Sequence, residues 1–63
     1  MLLKLTNVFK DGSSKPVLVN SDVVKDVQVD SREEFGSNSI LVTKDERFYY
    51  VKETVEEIGG MLG

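Results

Sequence analysis

The sequence predicts a small α+β, mostly β domain. Five short strands form an antiparallel curved meander or an incomplete SH3-like barrel, and one short C-terminal helix follows them. Two segments combine apolar runs with a polar turn, at residues 2–20 and 39–51, and a helix start follows near Thr54. At 63 residues the chain is expected to form a single small domain over residues 1–63.

The first hairpin is predicted over residues 2–20. Apolar and polar side chains partly alternate over residues 1–9, as is typical of a half-buried strand. The dipeptide Asp11-Gly12 then supplies the positive φ that a tight turn needs. Val17-Leu18-Val19 is the second strand, and Pro16 stands at its start, where a missing amide donor is tolerated.

The middle of the chain predicts a third strand and a loop. Valine alternates with polar residues over residues 24–30. A single helical turn over residues 21–25, capped by Ser21 or Asp22, fits the residues before it. Residues 31–38 contain two acids, a glycine and two serines, which is typical of a loop.

The second hairpin has strands at residues 39–43 and 48–51, joined by a polar turn at residues 44–47. Thr54 and Glu57 then fit a capping box, in which a hydroxyl and a carboxylate each accept a free backbone amide. The apolar face of this helix contains Val55, Ile58, Met61 and Leu62. We expect it to dock on the sheet, and the alternative is that Met61 and Leu62 are exposed and contact a partner.

The fifth strand carries two aromatic faces. Successive side chains of a strand point to opposite sides, so Phe48 and Tyr50 share one face and Tyr49 and Val51 the other. We expect one pair to lie in the core and the other to be partly exposed. Exposed tyrosines are good interface anchors. Tyr49, Val51 and the loop residue Phe35 are therefore the candidate partner-binding residues.

The composition argues against catalysis. The chain contains neither cysteine nor histidine, which excludes disulfides and thiolate metal sites and removes the commonest general base. We interpret Glu53, Glu56 and Glu57 as capping and solubilising residues. The acidic residues in the middle of the chain do not have the spacing of an EF-hand, and we interpret them as a solvated loop. They are Asp22, Asp26, Asp30, Glu33 and Glu34. The sequence thus predicts no enzyme, no cofactor, no metal and no catalytic residues.

The charge argues against nucleic-acid binding. The formal net charge is −3, whereas nucleic-acid affinity depends mainly on cations that neutralise phosphates. A small nucleic-acid-binding barrel is the alternative function. Its candidate contacts are Lys4, Lys10, Lys15, Lys44 and Arg47.

The sequence also predicts the cellular compartment of the protein. No apolar run approaches the roughly 20 residues that span a bilayer. The apolar start at residues 1–5 is too short for a signal-peptide core. We therefore expect a cytoplasmic chain without a membrane partner.

The order of these elements resembles a known family. Leu5-Thr6-Asn7 precedes a glycine turn, Val17-Leu18-Val19-Asn20 ends a strand, and the chain closes on Val51-Lys52-Glu53-Thr54-Val55-Glu56-Glu57-Ile58. This outline is similar to that of the small bacterial flagellar and swarming-associated proteins (FlbD and SwrD), and of small phage and prophage proteins of unknown function. The resemblance implies a non-enzymatic accessory role in motility.

The expected function is a small non-enzymatic protein-interaction or regulatory module of unknown pathway. A five-stranded sheet of this size exposes two strand edges, which attract other strands unless charged side chains protect them. The partner is therefore an unidentified protein or, through pairing of sheet edges, a second copy of the chain.

Overall fold

The computed structural model describes residues 1–31 and 36–62. The chain has the predicted order of five strands and a C-terminal helix, with a short 3-10 turn between the second and third strands. The elements are β1 (Leu2–Val8), β2 (Ser14–Asn20), the 3-10 turn (Ser21–Val23), β3 (Val24–Val29), β4 (Ser39–Thr43), β5 (Phe48–Val51) and α1 (Val55–Leu62). In the described ranges, no helix has the length and apolar character needed to cross a membrane.

The five strands form one open antiparallel sheet in the order β2-β1-β5-β4-β3, which confirms the predicted fold class. The two edge strands are consecutive in the chain and are joined by the 3-10 turn. The Ser21 amide donates to the Met1 carbonyl at 2.8 Å, and the Lys44 amide donates to the Val23 carbonyl at 2.8 Å. The 3-10 segment is thus tied to both halves of the sheet.

The core lies on one face of the sheet. Six buried side chains form it: Leu3, Leu5, Val19, Leu41, Val51 and Ile58. Val17 from one edge strand and Val27 from the other pack against this same cluster, so the sheet must curve around it. Each fully buried aliphatic side chain contributes about 2 kcal/mol to folding, which makes this cluster the main source of stability.

The first hairpin spans residues 2–20 as predicted, but its second strand is longer than predicted, because β2 begins at Ser14 rather than at Val17. The Asp11 carboxylate accepts hydrogen bonds from the amide and the hydroxyl of Ser13, at 2.9 and 2.6 Å. Gly12 adopts a φ of 86°. This tight turn allows strand pairing to continue as far as Val8 and Ser14.

The helical turn before β3 is present, but it covers Ser21–Val23 rather than residues 21–25, and its cap differs from the prediction. Asn20 is the cap, and its side-chain oxygen accepts the Asp22 amide at 3.0 Å. The sequence favoured Ser21 or Asp22. The turn begins one residue earlier than those caps require, so the preceding asparagine takes the role.

A carboxylate joins the first hairpin to the rest of the sheet. Between β1 and β5 the register contains the pair Asn7–Val51, followed by a bond from the Lys52 amide to the Thr6 carbonyl at 3.0 Å. Glu53 continues this contact with its side chain. Its Oε1 accepts the Thr6 amide at 2.8 Å, and its Oε2 accepts the Thr6 hydroxyl at 3.0 Å. Glu53 is therefore a structural bridge, and not a capping or solubilising residue as predicted.

The capping box at the start of α1 is confirmed. The Thr54 amide donates to Glu57 Oε1 at 3.1 Å, and the Glu57 amide donates to Thr54 Oγ1 at 3.1 Å. Ile58 is fully buried. Met61 and Leu62 are 37% and 43% exposed, so the prediction that they dock on the sheet is wrong. So short a helix meets the sheet around Ile58, and its last turn extends beyond that contact.

We expect Glu53→Ala to lower the free energy of unfolding by about 2 kcal/mol, because the partly buried Thr6 amide and hydroxyl lose their acceptor. Urea denaturation measures the loss. Glu56→Ala is the matched control, since Glu56 is an exposed acid at the second residue of α1. Equal stabilities of the two variants would contradict the bridging role.

The two helical glycines provide a second test of the fold. A Cβ atom added to Gly59 or Gly60 meets nothing within 4 Å. Alanine at either position should therefore raise the free energy of unfolding by about 1 kcal/mol, as expected from helix propensity. Gly12→Ala should lower it by about 1 kcal/mol, because Gly12 has a positive φ. A destabilising alanine at both helical positions would show that the glycines have a packing role.

Candidate interaction surface

The outer face of β4 and β5 carries an apolar surface away from the core. Ile40 pairs with Tyr50 and Val42 pairs with Phe48 in the antiparallel register. The alternate residues of the two strands, such as Leu41, point to the core. We call the four residues Ile40, Val42, Phe48 and Tyr50 the outer patch. The α1 residue Ile58 belongs to the core cluster, so the helix packs on the opposite face of the sheet.

The outer patch consists of one exposed aromatic residue and three half-buried apolar residues. Phe48 is 60% exposed, while the other three side chains are half-buried. The pairing of Asn7 with Val51 places Val8 beside Tyr50, and Val8 is buried although it does not belong to the core cluster. Phe48 is thus an exposed aromatic residue beside packed apolar side chains, and aromatic residues are enriched in protein interfaces.

None of the predicted partner-binding residues belongs to the outer patch. Val51 is fully buried in the core cluster, so its side chain has no surface to offer a partner. Tyr49 is half-buried and packs against that cluster. Phe35 lies outside the described residues. The prediction that one face of β5 is core and the other partly exposed is confirmed, and the exposed pair is Phe48 and Tyr50.

The five candidate nucleic-acid contacts are all exposed but lie on different elements. Lys4 is on the interior strand β1, and Lys15 is on the edge strand β2. Lys10 belongs to the β1–β2 turn, whereas Lys44 and Arg47 belong to the β4–β5 turn. Because β1 ends beside β5, these two turns lie at the same end of the sheet.

Acidic residues at that end offset the basic ones. Arg47 Nε lies 3.1 Å from Asp45 Oδ2. A hydrogen bond from the Thr43 hydroxyl, with the nearby Arg47 charge, lowers the pKa of Asp45. Hydrogen bonds from the hydroxyl and amide of Ser13 likewise lower the pKa of Asp11. Both carboxylates therefore stay ionised at neutral pH, and this end of the sheet is of mixed charge.

The free edge of β2 is poorly suited to strand pairing. The Ser21 amide bonds the Met1 carbonyl, and the Phe9 amide bonds the Ser13 carbonyl. Hydrogen-bonded pairs alternate along an antiparallel ladder, so the odd-numbered residues of β2 direct their amides to β1. Pro16 therefore occupies a position whose amide would point outward. Proline there removes a donor from the edge.

The free edge of β3 is covered by a carboxylate. The Asp30 amide bonds the Asn38 carbonyl, so by the same alternation the Val27 amide points away from β4. Asp26 Oδ1 accepts this Val27 amide at 2.9 Å, and Asp26 Oδ2 accepts the Gln28 side-chain amide at 2.8 Å. The predicted edge-paired homodimer stays a prediction, and both edges carry features that disfavour it.

Other polar groups have local roles. In residues 1–31 and 36–62, no group of three or more acidic side chains is arranged to hold a metal ion. Asp30 and Ser37 are both buried, and the Ser37 hydroxyl donates to Asp30 Oδ2. This hydrogen bond attaches the segment before β4 to the end of β3.

We expect Asp11 to titrate below the ordinary range of an aspartate. Its hydrogen bonds to Ser13 are present at neutral pH and are lost as the pH falls through its lowered pKa. Ser13→Ala removes the hydroxyl donor, so the pKa of Asp11 should rise. An NMR titration of the Asp11 carboxyl measures both values. An unchanged pKa in the variant would contradict the assigned cause.

Comparison of the chain with protein-family models, with curated proteins and with solved structures finds no match. The resemblance to the flagellar and swarming-associated proteins therefore stays a prediction.

Proposed function

We propose that this protein is a small non-enzymatic protein-interaction module of the cytoplasm, and that it binds its partner through the outer patch. The observation that carries the proposal is the 60% exposure of Phe48 at the turn end of an apolar surface. That surface lies on the face of the sheet opposite the core cluster.

The energetics favour this surface as a binding site. Covering a largely exposed phenylalanine contributes about 2 kcal/mol. Aromatic side chains are enriched among the residues that dominate binding energies. Phe48 and Tyr50 stand on a strand that pairs with β4 along its whole length, so little conformational entropy of the backbone is lost when a partner binds.

The chemistry of the chain supports a binding role over catalysis. With neither histidine nor cysteine, a general base or nucleophile would have to come from lysines, carboxylates or hydroxyls. The acids Asp11, Asp26 and Glu53 already accept backbone amides. The alternative, a small nucleic-acid-binding barrel, is disfavoured by the mixed charge at the turn end of the sheet.

Binding of a partner at the outer patch can be tested with a photo-crosslinking amino acid at position 48, in the cells that naturally express the chain. We expect a discrete crosslinked protein product there. Leu18 is the matched control position, since it is an exposed apolar residue of β2 with 62% exposure, neighbouring the buried Val19. A reporter at position 18 should give no such product.

Two outcomes would count against the proposal. Equal crosslinking at positions 48 and 18 would show that the products come from nonspecific association of exposed apolar residues. Tight binding of single-stranded or duplex oligonucleotides at low salt, lost on changing Lys10 and Lys44 to glutamate, would favour the nucleic-acid alternative instead.

A further inference from the structure

We propose that Asp11-Gly12 in the β1–β2 turn is a site of spontaneous isoaspartate formation, and that the folded hairpin protects this site. The modification then takes place when the hairpin opens. It concerns the covalent chemistry of the turn and does not depend on partner binding at the outer patch.

The reaction needs no reagent other than water. The Gly12 backbone nitrogen attacks Cγ of the neutral Asp11 side chain, a bond forms between these two atoms, and the bond from Cγ to the hydroxyl oxygen breaks. The hydroxyl leaves with the amide proton as water, and a succinimide ring remains. Water then adds to one of the two ring carbonyls. Addition at the former backbone carbonyl of Asp11 leaves Gly12 attached to Cγ, which is the isoaspartate product.

The fold itself places a glycine after the aspartate. Gly12 adopts a φ of 86°, in the left-handed region that glycine enters without a steric penalty. A Cβ atom added to Gly12 meets nothing within 4 Å, so the backbone conformation favours glycine here, and not a lack of space. A side chain at this position would hinder attack of its nitrogen on Cγ. The tight turn thus requires the residue pair in which the reaction is least hindered.

The first protecting feature is a hydrogen bond on the attacking nitrogen. The Gly12 amide donates to the Phe9 carbonyl at 3.0 Å, and the Phe9 amide donates to the Ser13 carbonyl at 2.9 Å. The nitrogen must lose its proton to form the ring. A hydrogen bond to a carbonyl stabilises the protonated amide, so the closed turn disfavours this step.

The second protecting feature is the ionised state of the carboxyl group. Asp11 Oδ1 accepts the Ser13 amide at 2.9 Å and the Ser13 hydroxyl at 2.6 Å. Both bonds favour the carboxylate and lower the pKa of Asp11. The neutral acid is the form that releases water, so its smaller population slows ring closure. The same bonds hold the carboxylate towards Ser13.

The product does not fit the folded turn. Isoaspartate lengthens the backbone between Phe9 and Ser13 by one methylene, and its carboxylate is attached directly to Cα. Strand pairing continues as far as Val8 and Ser14, directly beside this turn. The modified hairpin should therefore lose the hydrogen bond between Phe9 and Ser13, and the urea midpoint of the purified isoaspartate form should be lower than that of the unmodified chain.

The test is incubation of the full chain for weeks at neutral pH, followed by peptide mapping against synthetic peptides that contain aspartate or isoaspartate at position 11. The same chain unfolded in guanidinium is the reference. We expect isoaspartate to form at least about tenfold faster in the unfolded chain, because the turn hydrogen bonds are lost there.

Asp45 is the internal control in both samples. It also lies in a turn and accepts a hydrogen bond from the Thr43 hydroxyl, but Glu46 follows it and carries a side chain. Asp45 should therefore remain aspartate. Isoaspartate at position 45 at the rate found for position 11 would overturn the role of Gly12.

Substitutions of two neighbouring serines test the protecting hydrogen bonds in the folded chain. Ser13→Ala removes the hydroxyl that donates to Asp11, and it should speed isoaspartate formation about threefold. Ser14→Ala is the matched control, since Ser14 is also exposed and begins β2. It should leave the rate unchanged. Equal rates for the two variants would overturn the protecting role of the Ser13 hydroxyl.

The comparison of the folded and unfolded wild-type chain does not depend on either variant. A folded chain that forms isoaspartate as fast as the unfolded chain would overturn the protection. An unfolded chain without isoaspartate at position 11 would overturn the site itself.

Discussion

The segment from Val51 to Thr54 joins parts of the chain that are distant in sequence. Glu53 accepts two hydrogen bonds from Thr6, which is 47 residues away. The Asn38 amide donates to the Val51 carbonyl at 2.8 Å, and the Ser39 hydroxyl donates to the Glu53 carbonyl at 2.7 Å. The same segment ends at the helix cap. A single four-residue segment thus connects the first hairpin, the central strands and the helix.

The sheet consists of two parts, and the segment from Val51 to Thr54 connects them. One part is the β1–β2 hairpin, and the other is the run from β3 to β5. Between them the strand register contains one residue pair, which the Glu53 carboxylate extends. The core cluster draws Leu3 and Leu5 from the first part and Leu41 from the second. The core is therefore complete only when the two parts are joined.

The same connection shapes the outer patch. Val8 comes from the first hairpin and is buried beside Tyr50 of the second part. The base of the patch therefore includes side chains from both sides of the contact between β1 and β5. A surface that rests on two joined strands is preorganised for binding, which lowers the entropy loss on association.

Four carboxylates of this acidic chain stabilise its fold by accepting backbone hydrogen bonds. Asp11 closes the first turn, Asp26 covers an edge amide, Glu53 bridges two strands and Glu57 completes the helix cap. Each accepts a backbone amide, and such charge-assisted bonds are stronger than neutral ones. These four acids have structural roles that need no bound ligand.

The local structure of this protein can be predicted from neighbouring residues in the sequence. The Asp11-Gly12 turn, the alternation in the strands and the capping box at Thr54 depend on neighbouring residues, so β4, β5 and the start of α1 follow from the sequence as predicted. The longer β2 and the Asn20 cap were missed, because turn and cap boundaries respond to hydrogen bonds that several residues can make.

Which face of β5 is exposed depends on the packing of the whole domain. Both faces of β5 are apolar and aromatic, so their composition could not show that Val51 is core and Phe48 is exposed. The role of Glu53 likewise requires Thr6, which the fold brings beside it from the other end of the chain. Period-two alternation separates the faces of a strand. The partner strands and the helix then determine which face the core occupies.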